Sequence, residues 1–219
     1  MNTMKYTPRT SGARLIALEN GKLRFYALDQ KQQWLVGRAG KGSAPDIDFQ
    51  SRVVSRQHGW LMGMDEEWYY VDNPNNLNGT FLNGVAIDRP LSGTRKPITL
   101  RDGDVLGISG NGEDEGVAMV YTTRPVGSRW GMHPLNGREV LLGRDPECAI
   151  CWQEPEISGR HAQLTPVEGS YQLWDFGSRS GTVLNGRTIC GAVRLKKLDH
   201  FSICGKSCFF LGDRLLYEK

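Results

Sequence analysis

Long apolar runs are absent from this sequence, and so is an apolar segment near its amino terminus. No stretch approaches the 18 or more apolar residues that a membrane-spanning helix needs. The first residues, MNTMKYTPRTSGAR, lack the hydrophobic region of a secretory signal. We therefore expect a cytoplasmic protein without a membrane partner.

An excess of charge of either sign is also lacking. The 27 basic and 24 acidic residues give a formal net charge of +3. Residues 1–123 hold 14 basic and 14 acidic side chains, and residues 124–219 hold 13 and 10. Proteins that bind nucleic acids need clustered lysine and arginine to neutralise phosphates. The sequence therefore predicts no nucleic-acid partner.

Cysteine is missing from residues 1–147, and all five cysteines follow. They include a C-x2-C pair at 148–151 and a C-x3-C pair at 204–208. Such spacing occurs in zinc sites, but both pairs lie in strand-like runs and no Cys–His spacing accompanies them. We interpret them as small buried apolar residues that stay reduced in the cytosol. We predict no metal and no cofactor.

Helical periodicity is absent too, since no window of 11 or more residues repeats its apolar residues every 3.6 positions. Glycine is abundant instead, at 27 of 219 residues, and short runs such as EWYYVD (67–72) are rich in β-branched or aromatic residues. Turn dipeptides separate the runs, among them Asn83-Gly84 and Asn185-Gly186, which supply the positive φ of tight hairpins. The pattern predicts an all-β protein made of two β-sandwiches.

Three polar motifs occur twice along the chain. LVGR, SRQH and NGTFLNG in the first half return as LLGR, SGRH and SGTVLNG in the second. The offsets agree: 106 from Arg38 to Arg144, 103 from His58 to His161, and 102 from Asn83 to Asn185. A duplicated unit of about 105 residues follows. The predicted limits are a tail at 1–12, a first domain at 13–122, a linker at 123–129 and a second domain at 130–219.

The repeated residues are polar and adjoin strands, which places them on loops, where a β scaffold carries binding residues. An arginine, a serine hydroxyl, a carboxamide and backbone N–H groups at one end of a sandwich are mostly donors. Such a set suits a phosphorylated side chain, which brings about −1.5 to −2 charges and three acceptor oxygens. Arginine binds phosphate as a bidentate fork.

Together the motifs resemble the forkhead-associated (FHA) domain, twice in tandem, over residues 13–122 and 130–217. The resemblance implies two eleven-stranded β-sandwiches whose apical loops bind phosphothreonine peptides and catalyse no reaction. It implies that the partner is a protein or peptide phosphorylated on threonine by a Ser/Thr protein kinase. The chain would then be a signalling adaptor.

The resemblance also assigns residues of the first unit to the bound phosphopeptide. The contacts are assigned to Arg38, Ser55, Arg56 and Asn78, with Asn78 on the peptide main chain. Lys41 lies in a longer loop after Arg38, and we expect it to reach the ligand from there. Leu77 stands where many family members have a Thr or Ser that touches the phosphate, so one contact is lost there.

In the second unit the corresponding positions are Arg144, Ser158, Gly159, Arg179 and Ser180. Gly159 replaces the usual basic or polar neighbour of the serine, and Ser180 replaces the asparagine that binds the peptide. Arg179 lies just before Ser180 and offsets part of the loss. We therefore expect the first unit to be the stronger binder.

Other interpretations stay open beside this one. One alternative is a hydrolase in which Ser55 of the Ser-x-x-His motif is the nucleophile and His58 its base, but no Asp or Glu recurs at a fixed offset to orient the imidazole. The resemblance instead implies that His58 and His161 hold the serine loops through backbone hydrogen bonds, and we expect Thr80 and Thr182 to brace loops in the same way. A further alternative is a phosphate-independent scaffold in which one or both units bind unmodified partners.

Overall fold

The computed structural model describes residues 12–87, 96–109, 116–127 and 129–219. The chain divides into two compact units, Met1–Pro125 and Val126–Lys219. The dividing point falls inside the predicted linker, while the outer limits of the predicted domains stay a prediction. The predicted tail, apart from Gly12, lies outside the described residues.

The first unit is built from two antiparallel sheets with one parallel pair at an edge. One sheet has the order β2-β1-β11-β10-β7-β8 and the other β4-β3-β5-β6-β9, with β3 and β4 parallel. Its described residues form a short 3₁₀ helix (Leu28–Gln30) and eleven strands: β1 (Arg14–Glu19), β2 (Lys22–Ala27), β3 (Gln33–Arg38), β4 (Ile47–Phe49), β5 (Gly59–Met64), β6 (Glu67–Asp72), β7 (Phe81–Leu82), β8 (Val85–Ala86), β9 (Ile98–Thr99), β10 (Val105–Ile108) and β11 (Val117–Thr122).

The second unit repeats the two-sheet plan. One sheet has the order β12-β22-β21-β20-β17-β18 and the other β14-β13-β15-β16-β19, with β13 and β14 parallel. Eleven strands lie in its described residues: β12 (Trp130–Pro134), β13 (Val140–Gly143), β14 (Ile150–Cys151), β15 (Ala162–Val167), β16 (Ser170–Asp175), β17 (Thr182–Leu184), β18 (Arg187–Thr188), β19 (Val193–Arg194), β20 (His200–Ile203), β21 (Lys206–Phe210) and β22 (Arg214–Glu218). The all-β prediction is confirmed for both units.

Alternation of side chains along the strands builds each core. In β6, Trp68, Tyr70 and Asp72 are buried while their neighbours are more exposed, because successive residues of a strand point to opposite faces of the sheet. Leu15 of one sheet and Leu61 of the other join the same apolar cluster of the first unit. A separate cluster fills the second unit. Each unit therefore has its own core, and its connecting loops are free to carry function.

The two units differ at one sheet position. In the first unit the strand between β2 and β11 is β1, the first strand of that unit. In the second unit the strand between β12 and β21 is β22, the last one. The strands that carry the repeated motifs, β3–β10 and β13–β20, correspond one to one. The same sheet is therefore completed from opposite ends of the chain in the two repeats.

No helix in the part of the chain that the structure describes is long and apolar enough to cross a bilayer.

Candidate functional site

The arginine of the first unit is fixed against the loop that carries the serine. Arg38 ends β3, where its backbone N–H donates to Ser55 O (3.1 Å) and its Nε donates to Val54 O (3.2 Å). Glycine precedes it because the loop backbone passes close by: a Cβ on Gly37 would lie 2.9 Å from the carbonyl carbon of Arg56. The Gly-Arg pair thus lets β3 pack directly against the serine loop, with Arg38 half-buried beside it.

The same loop is held from its other side by residues that follow β6. Asn78 Nδ2 donates to Val53 O (2.8 Å), and Leu77 N donates to Ser55 Oγ (3.3 Å). Since Ser55 Oγ accepts that bond, its own proton is available to a ligand. The Leu77 side chain is 83% exposed. The structure therefore brings Arg38, Ser55, Leu77 and Asn78 to one edge of the sandwich.

Two further cations of the first unit lie beside this edge. Gly40 and Ser43 close a short turn by hydrogen bonds in both directions (3.2 and 2.9 Å), and Lys41 is exposed within that turn. Ser43 Oγ donates to Arg56 O (2.8 Å), which joins the turn to the serine loop. Lys41 and the exposed Arg56 therefore lie on the turn and the loop that adjoin the arginine and the serine.

The buried histidines secure the serine loops. Ser55 N donates to His58 Nδ1 (3.1 Å), so the ring proton is on Nε2, which donates to Gly79 O (3.2 Å). His161 repeats the pattern with Ser158 N and Gly181 O, both at 3.2 Å. The histidine thus holds the serine through its backbone, with the Nδ1 lone pair already used, and does not act as a base toward the hydroxyl.

An acidic residue does recur at a fixed offset, contrary to the sequence analysis. Asp72 and Asp175 each follow their histidine, His58 or His161, by fourteen residues. The β5–β6 and β15–β16 hairpins bring them close, and in the second unit Asp175 Oδ2 lies 3.8 Å from His161 Nε2. No catalytic triad results, because Nδ1, the ring nitrogen on the serine side, already accepts the serine's backbone N–H and is not available as a base toward its hydroxyl.

The threonines bond to these acids, not to backbone as the sequence analysis expected. Thr80 Oγ1 donates to Asp72 Oδ1 (2.6 Å), and Thr182 Oγ1 donates to Asp175 Oδ2 (2.7 Å). Asn76 Nδ2 also donates to Asp72 Oδ1 (2.6 Å). The buried carboxylate of Asp72 and the half-buried carboxylate of Asp175 therefore anchor the loops that follow β6 and β16.

The hairpin asparagines brace another turn. Asn83 and Asn185 have φ of 50° and 47°. Their Nδ2 atoms donate to Asp104 Oδ1 and Asp199 Oδ1, each at 2.8 Å. They fix the hairpins β7–β8 and β17–β18 and make no described contact with the arginine or the serine.

The second unit keeps the arginine and serine geometry closely. Arg144 N donates to Ser158 O (2.9 Å), and its Nε donates to Ile157 O (3.2 Å). Arg179 N donates to Ser158 Oγ (3.2 Å), as Leu77 N does to Ser55 Oγ. Arg179 thus occupies the position of Leu77, with an exposed side chain.

A cysteine takes over part of the asparagine's role in the second unit. Ser180 Oγ lies 2.8 Å from Cys204 Sγ, which donates to Glu156 O (3.3 Å). Glu156 corresponds to Val53, to which Asn78 donates directly in the first unit. Ser180 is too short for that bond, and the thiol bridges the gap. The repeated motifs give no sign of Cys204, which lies 24 residues beyond Ser180.

The prediction that both cysteine pairs are buried is correct for one member of each pair. Cys148 and Cys208 are buried, and burial raises the pKa of the Cys208 thiol well above its ordinary value. Cys151 is exposed and Cys204 is half-buried. The apolar interpretation is therefore wrong for Cys151, whereas Cys204 packs against the edge of the second unit's apolar cluster.

Low pH should destabilise the second unit because Asp175 becomes protonated. Burial acts to raise the pKa of this carboxyl, but hydrogen bonds from Thr182 and Ser178 together lower it more, so the pKa lies below its ordinary value. A carboxylate whose pKa is lower when folded stabilises fully above its unfolded pKa of about 4 and loses that contribution as the pH falls further.

We therefore expect Asp175→Asn to flatten the decline of the unfolding free energy between about pH 5 and pH 3. Urea titrations across this range measure it. Glu139→Gln is the control, because Glu139 is exposed and its side chain has no hydrogen bond among the described residues. An unchanged decline in Asp175→Asn would contradict the assignment.

Two β-sandwiches that hold the same arginine, serine and buried histidine in the same contacts define a tandem of one domain type. A family model described as "FHA domain" matches residues 34–109 and 140–204, together more than half of the chain. The chain therefore belongs to the FHA domain family.

The chain is also similar to individual proteins. The Schizosaccharomyces pombe protein named "Probable E3 ubiquitin-protein ligase dma1" is 31% identical over 150 residues, which are 61% of this chain and 55% of that protein. The chain thus spans about half the length of this curated relative.

Solved structures with a similar fold include full-length yeast Pml1p, at 26% identity and a TM-score of 0.43 over 50% of this chain and 80% of Pml1p. They also include the N-terminal FHA domain of Saccharomyces cerevisiae Rad53p, solved with a phosphothreonine peptide. It is 20% identical, with a TM-score of 0.39 over 49% of this chain and 91% of that domain.

Proposed function

We propose that the chain is a phosphothreonine-peptide recognition module that acts as a non-catalytic signalling adaptor. The observation that carries the proposal is the set of contacts that Arg38 makes. Its N and Nε are bound to the serine loop, and among the described residues no Asp or Glu lies within ion-pair distance of its guanidinium. The two Nη atoms are therefore available as a fork for an external anion.

The groups around Arg38 complete a phosphate site of the right chemistry. Ser55 Oγ has a proton to donate, and Lys41 and Arg56 add positive charge beside it. Asn78 Oδ1 has no hydrogen-bond partner among the described residues, which leaves it for a main-chain N–H of the ligand. A phosphate dianion with three acceptor oxygens matches these donors. The preference for threonine, and for the product of a Ser/Thr protein kinase, rests on the family resemblance.

We also propose that the first unit binds more tightly than the second. Gly159 supplies no side chain where the first unit has Arg56, and Ser180 is engaged with Cys204 where the first unit has Asn78. Each lost hydrogen bond to a charged ligand costs about 1.5–3 kcal/mol. The second unit is then at least about tenfold weaker.

A phosphate-independent scaffold is the second candidate, and Leu77 is the observation in its favour. An apolar side chain that is 83% exposed at the centre of the loops suits contact with an unmodified partner. The two candidates differ in whether the phosphate is needed.

Titration of the intact chain with three versions of one degenerate peptide library tests the proposal. The central residue is phosphothreonine, phosphoserine or unmodified threonine, and all three are measured at the same salt concentration. We expect a Kd in the range of about 1 μM for phosphothreonine and at least about tenfold weaker binding of the other two. Equal binding of all three would overturn the proposal in favour of the scaffold.

A further inference from the structure

Gly159 of the second unit occupies the backbone position that Arg56 holds in the first. A Cβ on Gly143 would lie 2.9 Å from the carbonyl carbon of Gly159, and a Cβ on Gly37 would lie 2.9 Å from that of Arg56. The strand and the serine loop therefore meet in the same way in both units. The positions differ only in what their side chains place beside the serine.

The space left empty by Gly159 is filled by the carboxylate of Asp145. A Cβ on Gly159 would lie 2.8 Å from both Cγ and Oδ2 of Asp145 and nearer still to Oδ1. Asp145 N donates to Gly159 O (2.9 Å), which fixes the residue against the loop. The corresponding residue of the first unit is the uncharged Ala39.

The side chain next to the serine is thus a cation in the first unit and an anion in the second, while the first unit's Asp48 carboxylate is bonded to Ala39 N (2.7 Å). The first unit has the Arg56 guanidinium there, and the second has the Asp145 carboxylate. The Asp145 side chain is half-buried and makes no hydrogen bond or ion pair with the residues that the structure describes. The basic residues of these segments are Arg144, which precedes Asp145, Arg160 of the serine loop and Arg179 of the loop after β16. A carboxylate without a partner repels a dianion that approaches Ser158.

We propose that Asp145 is a specificity-determining residue whose negative charge lowers the affinity of the second unit's loop site for phosphorylated ligands. The inference rests on the proposed function, because it concerns the same kind of phosphate site. It goes further by naming a repulsive element in addition to the missing contacts of Gly159 and Ser180. Discrimination built on repulsion is removed by neutralising one side chain, whereas missing contacts are not restored in that way.

The test uses the ¹⁵N-labelled intact chain and O-phospho-L-threonine as the probe. The Arg179 amide, bonded to Ser158 Oγ, reports on the second unit, and the Leu77 amide, bonded to Ser55 Oγ, reports on the first. Asp145→Asn should strengthen binding seen at Arg179 by about tenfold at low salt. The reciprocal Ala39→Asp should weaken binding seen at Leu77 by a similar factor.

Two more variants keep the result interpretable. Glu147→Gln removes an exposed acidic charge close by in the sequence and should change binding at Arg179 less than about twofold. Asp145→Ala installs the residue of the first unit and replaces Asp145→Asn if that variant unfolds.

The outcomes separate the two claims. Asp145→Asn or Asp145→Ala with an unchanged titration at Arg179, or Glu147→Gln with an equal gain, would overturn the inference. A Leu77 amide that does not respond to the probe in the wild type would count against the proposed function, while the Arg179 titration would still decide the role of Asp145.

Discussion

Arg38→Ala should weaken binding of phosphothreonine peptides by the intact chain about 30- to 1000-fold, equal to about 2–4 kcal/mol. The Arg38 backbone N–H and Nε each donate to the serine loop, which leaves the two Nη atoms of the guanidinium for the ligand. Its removal takes away a bidentate, charge-assisted contact, which is stronger than a neutral hydrogen bond. Isothermal titration with the tightest-binding peptide measures the loss.

Matched substitutions in the same chain decide whether the loss belongs to this site. Ser55→Ala removes one hydroxyl donor and should cost less than Arg38→Ala. Arg144→Ala, the same change in the second unit, should alter the tightest binding less than about twofold. Unchanged affinity in Arg38→Ala, at a melting temperature near that of the wild type, would contradict the account. A larger loss in Arg144→Ala would reverse the proposed ranking of the units.

The second large effect is expected on stability. His58→Ala should destabilise the first unit by about 2–4 kcal/mol, because it removes a fully buried ring and leaves a cavity. It also leaves Ser55 N and Gly79 O without their hydrogen bonds, and buried polar groups without partners are costly. Urea unfolding of the intact chain, followed by fluorescence, measures the change, and His161→Ala should lower the second unit's stability similarly.

A histidine outside the loops supplies the control for this prediction. His133 on β12 is half-buried, and its side chain has no hydrogen bond within the described ranges, so His133→Ala should cost less than about 1 kcal/mol. Equal losses in His58→Ala and His133→Ala would refute the bracing role. An esterase or phosphatase activity of the wild type that disappears in His58→Ala would refute the non-catalytic proposal.

The sequence predicts those parts of the site that depend on a few neighbouring residues. Asn83-Gly84 and Asn185-Gly186 adopt the positive φ that tight hairpins require, and this depends on the dipeptides alone. The repeated Gly-Arg and Ser-x-x-His motifs identify the loops because the same polar residues return at nearly the same offset. Alternating runs such as 67–72 indicate strands for the same local reason.

The parts that the sequence did not predict depend on contacts between distant segments. Asp72 approaches His58 only because the β5–β6 hairpin pairs Gly59 with Asp72. It lies fourteen residues beyond His58, outside the Ser-x-x-His motif. Cys204 reaches Ser180 from the turn between β20 and β21. Asp145 matters because Gly159 leaves a space, and the absence of a side chain does not show which neighbour fills it.

The central claim is that Arg38 binds the phosphate, and a thermodynamic cycle tests it most directly. Wild type and Arg38→Ala are each titrated with a phosphothreonine peptide and with its unphosphorylated twin, at one salt concentration. We expect a coupling of at least about 2 kcal/mol between the phosphate and the arginine, and equally weak binding of the unphosphorylated peptide by both proteins. A coupling near zero, with the phosphate preference retained in Arg38→Ala, would contradict the central claim.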